Sequence, residues 1–238
     1  MTLLVAELEL RTALARRRLF LLNVSVPLLL VIPIALAAAP PFHAAAVYTV
    51  LFMLFGTFGS AIPLVRDAEA GLLERILLTG LHPADYLLQR SGAGTLVDAL
   101  QLCPALVVAA GGMGGSPASI AGLWLTLTTS LWIANLVGVI VASVARSLAE
   151  TALFSAVTAL MILHASGVFR TPASGSVGAT LQGAAPFRAL HEGILSLSGG
   201  ALAGGSTALL CWAFGLPVAT ALLARGLASA LRAVERGR

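Results

Sequence analysis

The sequence predicts an all-α membrane protein. It reads as six transmembrane helices with an N-terminal interfacial amphipathic helix, a charged loop helix after the second span, and a short outer re-entrant or loop segment before the last. Three observations carry this. Only 10% of the 238 residues are charged, against about 25% in a soluble domain. Apolar stretches long enough to cross a ~30 Å hydrocarbon core at ~1.5 Å per residue recur six times. The basic residues gather on one side of those stretches.

All fourteen basic residues are arginine. Without a lysine the chain cannot form the G-x-x-x-x-G-K-S/T loop that cradles phosphates, which excludes a P-loop ATPase. The net charge of +4 arises from arginines near span ends, so no nucleic-acid partner is expected. Cys103 and Cys211 lie in apolar runs and read as small buried hydrophobes. His43, His82, His164 and His191 are scattered without ligand spacing, and no metal site is expected.

In chain order, residues 1–18 alternate apolar and charged groups. Leu4, Leu8, Ala15 and Leu19 can share a face, and Glu7 can pair with Arg11 one turn on. The reading is a helix along the membrane surface, anchored by Arg16, Arg17 and Arg18. Ala37-Ala38-Ala39 resembles a signal-peptidase site, but the preceding apolar run, about 21 residues, exceeds the usual ~7–15 of a signal peptide. The spans are expected at residues 19–39, 44–65, 91–110, 120–145, 151–169 and 201–224, in a single domain covering 1–238. Pro27 and Pro33 should bend the first, which membrane helices tolerate when neighbours satisfy the freed carbonyls. Gly111 to Pro117 reads as a turn. Residues 170–193 are too polar to span and too long for a simple turn.

Orientation follows from arginine. If both termini are cytoplasmic, Arg11, Arg16, Arg17 and Arg18, then Arg66, Arg75 and Arg90, then Arg146, then Arg225, Arg232, Arg236 and Arg238 all lie inside. Only Arg170 and Arg188 lie outside. The positive-inside rule selects that arrangement, placing a multi-pass protein in the cytoplasmic membrane.

Between Leu19 and Val65 there is no Asp, Glu, Lys or Arg, and between Ser91 and Ala145 only Asp98. The loop at 66–90 is therefore a charged island: Arg66, Asp67, Glu69, Glu74, Arg75, Asp85 and Arg90. Leu72, Leu73, Ile76 and Leu77 recur at helical spacing while the charges take other faces, which predicts a short amphipathic helix. Thr79-Gly80 should stop it and Pro83 open the next helix.

The pattern Arg66-Asp67-x-Glu69-x-Gly71-x-Leu73-Glu74-Arg75-x-Leu77-Leu78, followed by Gly80 and Pro83, resembles the first cytoplasmic loop of type-2 ABC exporter permeases. Ser166-Gly167 at the end of the fifth span and Pro186-Phe187-Arg188-Ala189-Leu190-His191-Glu192-Gly193 are similar to that family's outer re-entrant hairpin. The resemblance covers nearly the whole chain, and the short outer segment departs from members with a large external domain. It implies that the helix in 66–90 is a coupling helix docking on a separate ABC ATPase subunit. That subunit would hold ATP and Mg, and this chain would bind no cofactor. It implies as well a second copy or paralogue of the chain, because six spans enclose too narrow a path. In that setting Arg66, Asp67, Glu69, Gly71, Glu74 and Arg75 belong to the coupling contact, with Asp67, Glu69 and Glu74 making its polar part. Leu72, Leu73, Ile76 and Leu77 would be buried in the ATPase groove.

Asp98 is the one carboxylate within a span, roughly 9–10 Å from the cytoplasmic boundary. Structural pairing with an arginine such as Arg146 is the expected role, with substrate or proton handling the alternative. Thr126, Thr129, Ser130 and Asn135 of the fourth span read as helix-packing residues or, together with Asp98, as one side of an amphipathic substrate path. Gly200 and Gly204 form a G-x-x-x-G pair, and Arg146 and Glu150 a local ion pair. The function expected is an exporter's permease subunit carrying a hydrophobic or amphipathic substrate. A haem-exporter B-type subunit of cytochrome c maturation, with a similar G-x-L-E loop, is the alternative. An intramembrane serine protease is remote: His164-Ala165-Ser166-Gly167 lacks the first glycine of G-x-S-G, and His191 lies outside the spans.

Overall fold

A computed structural model describes residues 4–37, 39–199 and 206–236. The described residues form ten helices and no strand. They are α1 (Leu4–Ala15), α2 (Arg17–Leu36), α3 (Pro41–Glu69), α4 (Leu72–Leu78), α5 (Pro83–Gly112), α6 (Pro117–Val144), α7 (Leu148–Ala165), α8 (Val177–Ala184), α9 (Arg188–Ser196) and α10 (Ser206–Arg236). Six of them (α2, α3, α5, α6, α7 and α10) are long and apolar enough to cross a membrane. The protein is an integral, multi-pass, all-α membrane protein.

Prolines and small caps set the helix starts. Pro41, Pro83 and Pro117 each open a helix where the missing N–H costs nothing. Ser116, Ser147 and Ser176 cap α6, α7 and α8 through their hydroxyls. Pro27, Pro33, Pro63, Pro104 and Pro217 lie inside long helices.

The last span's helix, α10, runs on to Arg236, past the end expected at 224, and α3 and α5 also overshoot their expected ends, for one reason. With 29 and 30 residues, α3 and α5 run about 43–45 Å and overshoot a ~30 Å core. Nothing between Val65 and Glu69 breaks a helix, so Arg66, Asp67 and Glu69 ride on the end of the second span. The chain turns only at Gly71, at φ 68°, a left-handed conformation that glycine adopts without strain. The charged island is thus the end of α3, a seven-residue α4 and the start of α5.

The bundle is built around α6. Of its apolar stretch 67% is buried, against 11% for α2, which presents leucines outward. Gly138 lets α6 touch α3: a Cβ there would sit 2.5 Å from the Thr57 carbonyl oxygen and 3.2 Å from the Ala61 nitrogen. The main apolar core joins α3, α5 and α6 with α9. A smaller one at the arginine-rich end joins the last turns of α3, α4, the start of α5 and the end of α10. The G-x-x-x-G pair at Gly200 and Gly204 lies outside the described residues.

The segment between α7 and α10 is two short helices. No residue of α8 is buried, whereas α9 seats Leu190, His191 and Ile194 on the bundle. The His191 ring meets Phe42 edge-on, centroids 5.2 Å apart, and burial holds its imidazole below the usual range.

Candidate functional site

The candidate site begins where α1, α3 and α5 meet at the arginine-rich end. Arg90, one of the buried polar residues, lies about two turns into α5. Its guanidinium donates to the carboxylate of Glu9 on α1 and, at 2.7 Å, to Asp67 on α3. One arginine thus ties three elements. The pair Glu7–Arg11 forms at 2.5 Å on the exposed side of α1. So α1 is not held only by Arg16–Arg18 at a membrane surface; it is clamped to the bundle through Glu9.

Next to this clamp, α4 is amphipathic, but its inner face is covered by its own chain. Leu73 is fully buried in the smaller core with Leu64, Val65, Ala68, Tyr86 and Leu87. Ile76 packs against that core as well. This corrects the expectation that Leu73 awaits a partner's groove: the overshoot of α3 and α5 supplies its cover. Asp67 likewise is engaged by Arg90. Glu74 and Arg75 point outward, Leu72 is 41% exposed and Leu78 is 80% exposed. The Leu77 side chain is not among those described. Thr79 caps the end of α4 by donating to the Ile76 carbonyl at 2.6 Å, and Gly80 takes φ 83°.

Between α1, α2, α3 and α5 lies a groove of about 610 Å³. Arg16 and Arg66 stand at its arginine-rich end. Phe20, Phe55 and Phe58 line its length, and Asn23, Asp98 and Gln101 lie further along. Asp98 is 5% exposed and accepts from Asn135 Nδ2 at 3.0 Å. Asn135 also donates to the Leu131 carbonyl at 3.0 Å and accepts from the Ser60 hydroxyl. The Ser60–Asn135–Asp98 chain links α3, α6 and α5. Glycines make room for it: a Cβ on Gly59 would lie 2.5 Å from Asp98 Oδ2, and one on Gly94 3.1 Å from Asn135 Oδ1.

The expected path residues therefore separate. Asp98 reaches the groove and Asn135 stands behind it. Thr126 and Thr129 donate to the Gly122 and Leu125 carbonyls of their own helix, at 3.1 and 2.9 Å, and Ser130 is buried; none of the three lines the groove. Arg146 is not Asp98's partner. It is exposed at the α6–α7 turn, where its backbone N–H, not its guanidinium, donates to Glu150 at 2.8 Å. Among the described residues no ion pair involves Asp98.

Six apolar spans, a charged elbow between the second and third, and two short helices before the last form the setting for a family comparison. The profile of the ABC-2 type transporter family matches residues 7–197, which include α2 through α9 and most of α1. The chain belongs to that family. It is a membrane permease of an ABC transporter. No curated relative matches it. As an ABC-2 type permease, the protein carries its charged elbow within the matched region, together with Glu9, Arg90, Asp98 and Asn135. Three residues with no role expected from the sequence, Glu9, Gly59 and Gln101, belong to the groove and the clamp, as does Arg90, which the sequence places in the charged island without a partner. No signal marked them in advance, because Glu9 and Arg90 are 81 positions apart and Gly59 matters only through what it touches.

Proposed function

We propose that this permease is the membrane subunit of an exporter for hydrophobic or amphipathic substrates, driven by a separate ABC ATPase subunit that holds ATP and Mg. Two copies, or this chain and a paralogue, form the twelve-span unit, with the exposed leucines of α2 facing lipid or the second copy. The observation that carries the reading is the outward face of α4. Leu78 is 80% exposed beside the exposed Glu74 and Arg75, on a helix braced from behind by Leu73. A braced helix with an apolar tip and charges around it can pass a push into α3 and α5. The absence of lysine supports placing the ATP site on another chain.

Covering a leucine is worth about 1.5–3 kcal/mol, roughly ten- to a hundredfold in affinity. Leu78→Asp is therefore expected to reduce co-purification of the cognate ATPase at least ~10-fold, and Glu74→Ala to reduce it less. Both variants should keep the wild-type elution profile. Leu73→Asp should instead lose the folded bundle, since its side chain lies in the protein's own core. If Leu78→Asp and Glu74→Ala retain both the ATPase and substrate-stimulated hydrolysis in proteoliposomes, α4 is a membrane-surface helix and this coupling is wrong.

The orientation proposed, with both termini and α4 cytoplasmic, rests on the distribution of arginine. Cysteines at Ser116 and Ser174 should react with an impermeant maleimide in intact cells, and one at Thr79 only after permeabilisation. Labelling of Thr79→Cys from outside would reverse the topology and remove α4 from any ATPase.

A further inference from the structure

We infer that the groove between α1, α2, α3 and α5 is a binding site for an amphiphile with a single positive head, held by Asp98 and Gln101 with its apolar body along Phe20, Phe55 and Phe58. This deepens the permease reading, on which it rests, by naming a substrate class. Its volume of about 610 Å³ lies within the ~300–1,000 Å³ usual for small-molecule sites.

Two features of the inner end select a cation. Asp98, at 5% exposure, has a neutral amide donor in Asn135 and no cationic partner among the described residues. Gln101 is 3% exposed and lines the groove, and its carbonyl oxygen has no hydrogen-bond partner among the described residues. A buried acceptor left open is the exception in folded proteins and marks a place for a donor. A carboxylate beside an open amide carbonyl suits a protonated amine or another compact cation.

The walls fit the same ligand. Aromatic rings attract a cation through their faces and cover an apolar body by burial. The charges nearer the rim do not cancel the preference. Arg90 is neutralised by Glu9 and Asp67. Arg66 is exposed and lies seven residues beyond Gly59 on α3, about 10 Å along the helix and about one screening length away. Arg16 is exposed as well.

Decylammonium and decanoate share an apolar chain and carry heads of opposite charge. Equilibrium dialysis of each against the full chain in lipid nanodiscs, with empty nanodiscs subtracted, is expected to show saturable ammonium binding at least ~10-fold tighter than carboxylate binding. Asp98→Asn should weaken decylammonium binding by ~10-fold or more, Asp98→Glu should largely keep it, and Gln101→Leu should weaken it by several-fold. Equal binding of the two ions, no saturable decylammonium binding, or unchanged binding in Asp98→Asn that elutes as wild type would each overturn the inference. If Asp98→Asn does not fold, the comparison of the two ions on the unmodified chain still decides. The assay contains no ATPase. Failure here with an ATPase that still co-purifies removes the cation site alone, and failure to co-purify strikes the permease reading alone.

Discussion

Gly138→Leu is expected to abolish the folded bundle, while Gly122→Leu on the same helix leaves it intact. A Cβ on Gly138 would meet two backbone atoms of α3, the Thr57 carbonyl oxygen at 2.5 Å and the Ala61 nitrogen at 3.2 Å. A flexible side chain could swing aside, but a helix backbone cannot yield at one atom. The whole of α3 would have to move away from α6. Overpacking costs about 1–3 kcal/mol where side chains adjust, and more where they cannot. Separation would also pull Ser60 from Asn135 and so open the chain that ends at Asp98. Gly122 has nothing within 4 Å of its Cβ position, which makes it the internal control. Size-exclusion profiles taken over a temperature ramp supply the measurement. Gly138→Ala should fall between the two, and since ~1 kcal/mol shifts the midpoint by roughly 2–4 °C in a chain of this size, its loss is resolvable. A wild-type profile for Gly138→Leu would mean that α3 and α6 are not in backbone contact in the membrane.

The second large effect concerns the clamp. Arg90→Met should destabilise the arginine-rich end by about 3–5 kcal/mol, because it leaves two carboxylates facing each other with no cation between them. The Arg90 side chain is 8% exposed, Asp67 16% and Glu9 32%, so water compensates little. Limited proteolysis should then cut near α1, whose ion pair to the bundle is gone. The triple variant Arg90→Met, Glu9→Gln, Asp67→Asn should recover most of the loss, since replacing a whole buried ion group is far milder than removing one partner. If the triple variant is as unstable as Arg90→Met alone, the clamp acts through packing of the arginine stem and not through charge.

The α4 elbow and Asp98 separate what local sequence carries from what it does not. The leucine spacing in α4 was legible, and so was its amphipathic character. Which side of α4 is covered was not, because that depends on α3 and α5 extending past the hydrocarbon to enclose Leu73. Asp98 stood out as a lone carboxylate in an apolar run. The sequence pointed to an arginine such as Arg146 as its partner, since ion pairing is a common way to keep a carboxylate within a membrane. The helices settled it by bringing Asn135 to 3.0 Å and leaving Arg146 at an exposed turn.

What the sequence determined by itself is everything that depends on local composition and period. Six apolar runs, a helical charged elbow, a lysine-free chain and the membrane class follow from transfer free energies and 3.6-residue periodicity, which act residue by residue. The ABC-2 family likeness lay in the same local stretches. Only the tertiary structure decided which residues meet: Arg90 with Glu9 and Asp67, Asn135 with Ser60 and Asp98, Gly138 with the α3 backbone, and the groove that ends at Gln101. The physical reason is that lipid-compatible helices are alike in hydrophobicity. What sets their pairing is close approach at small residues and satisfaction of buried polar groups across helices, and both are properties of contacts between distant positions.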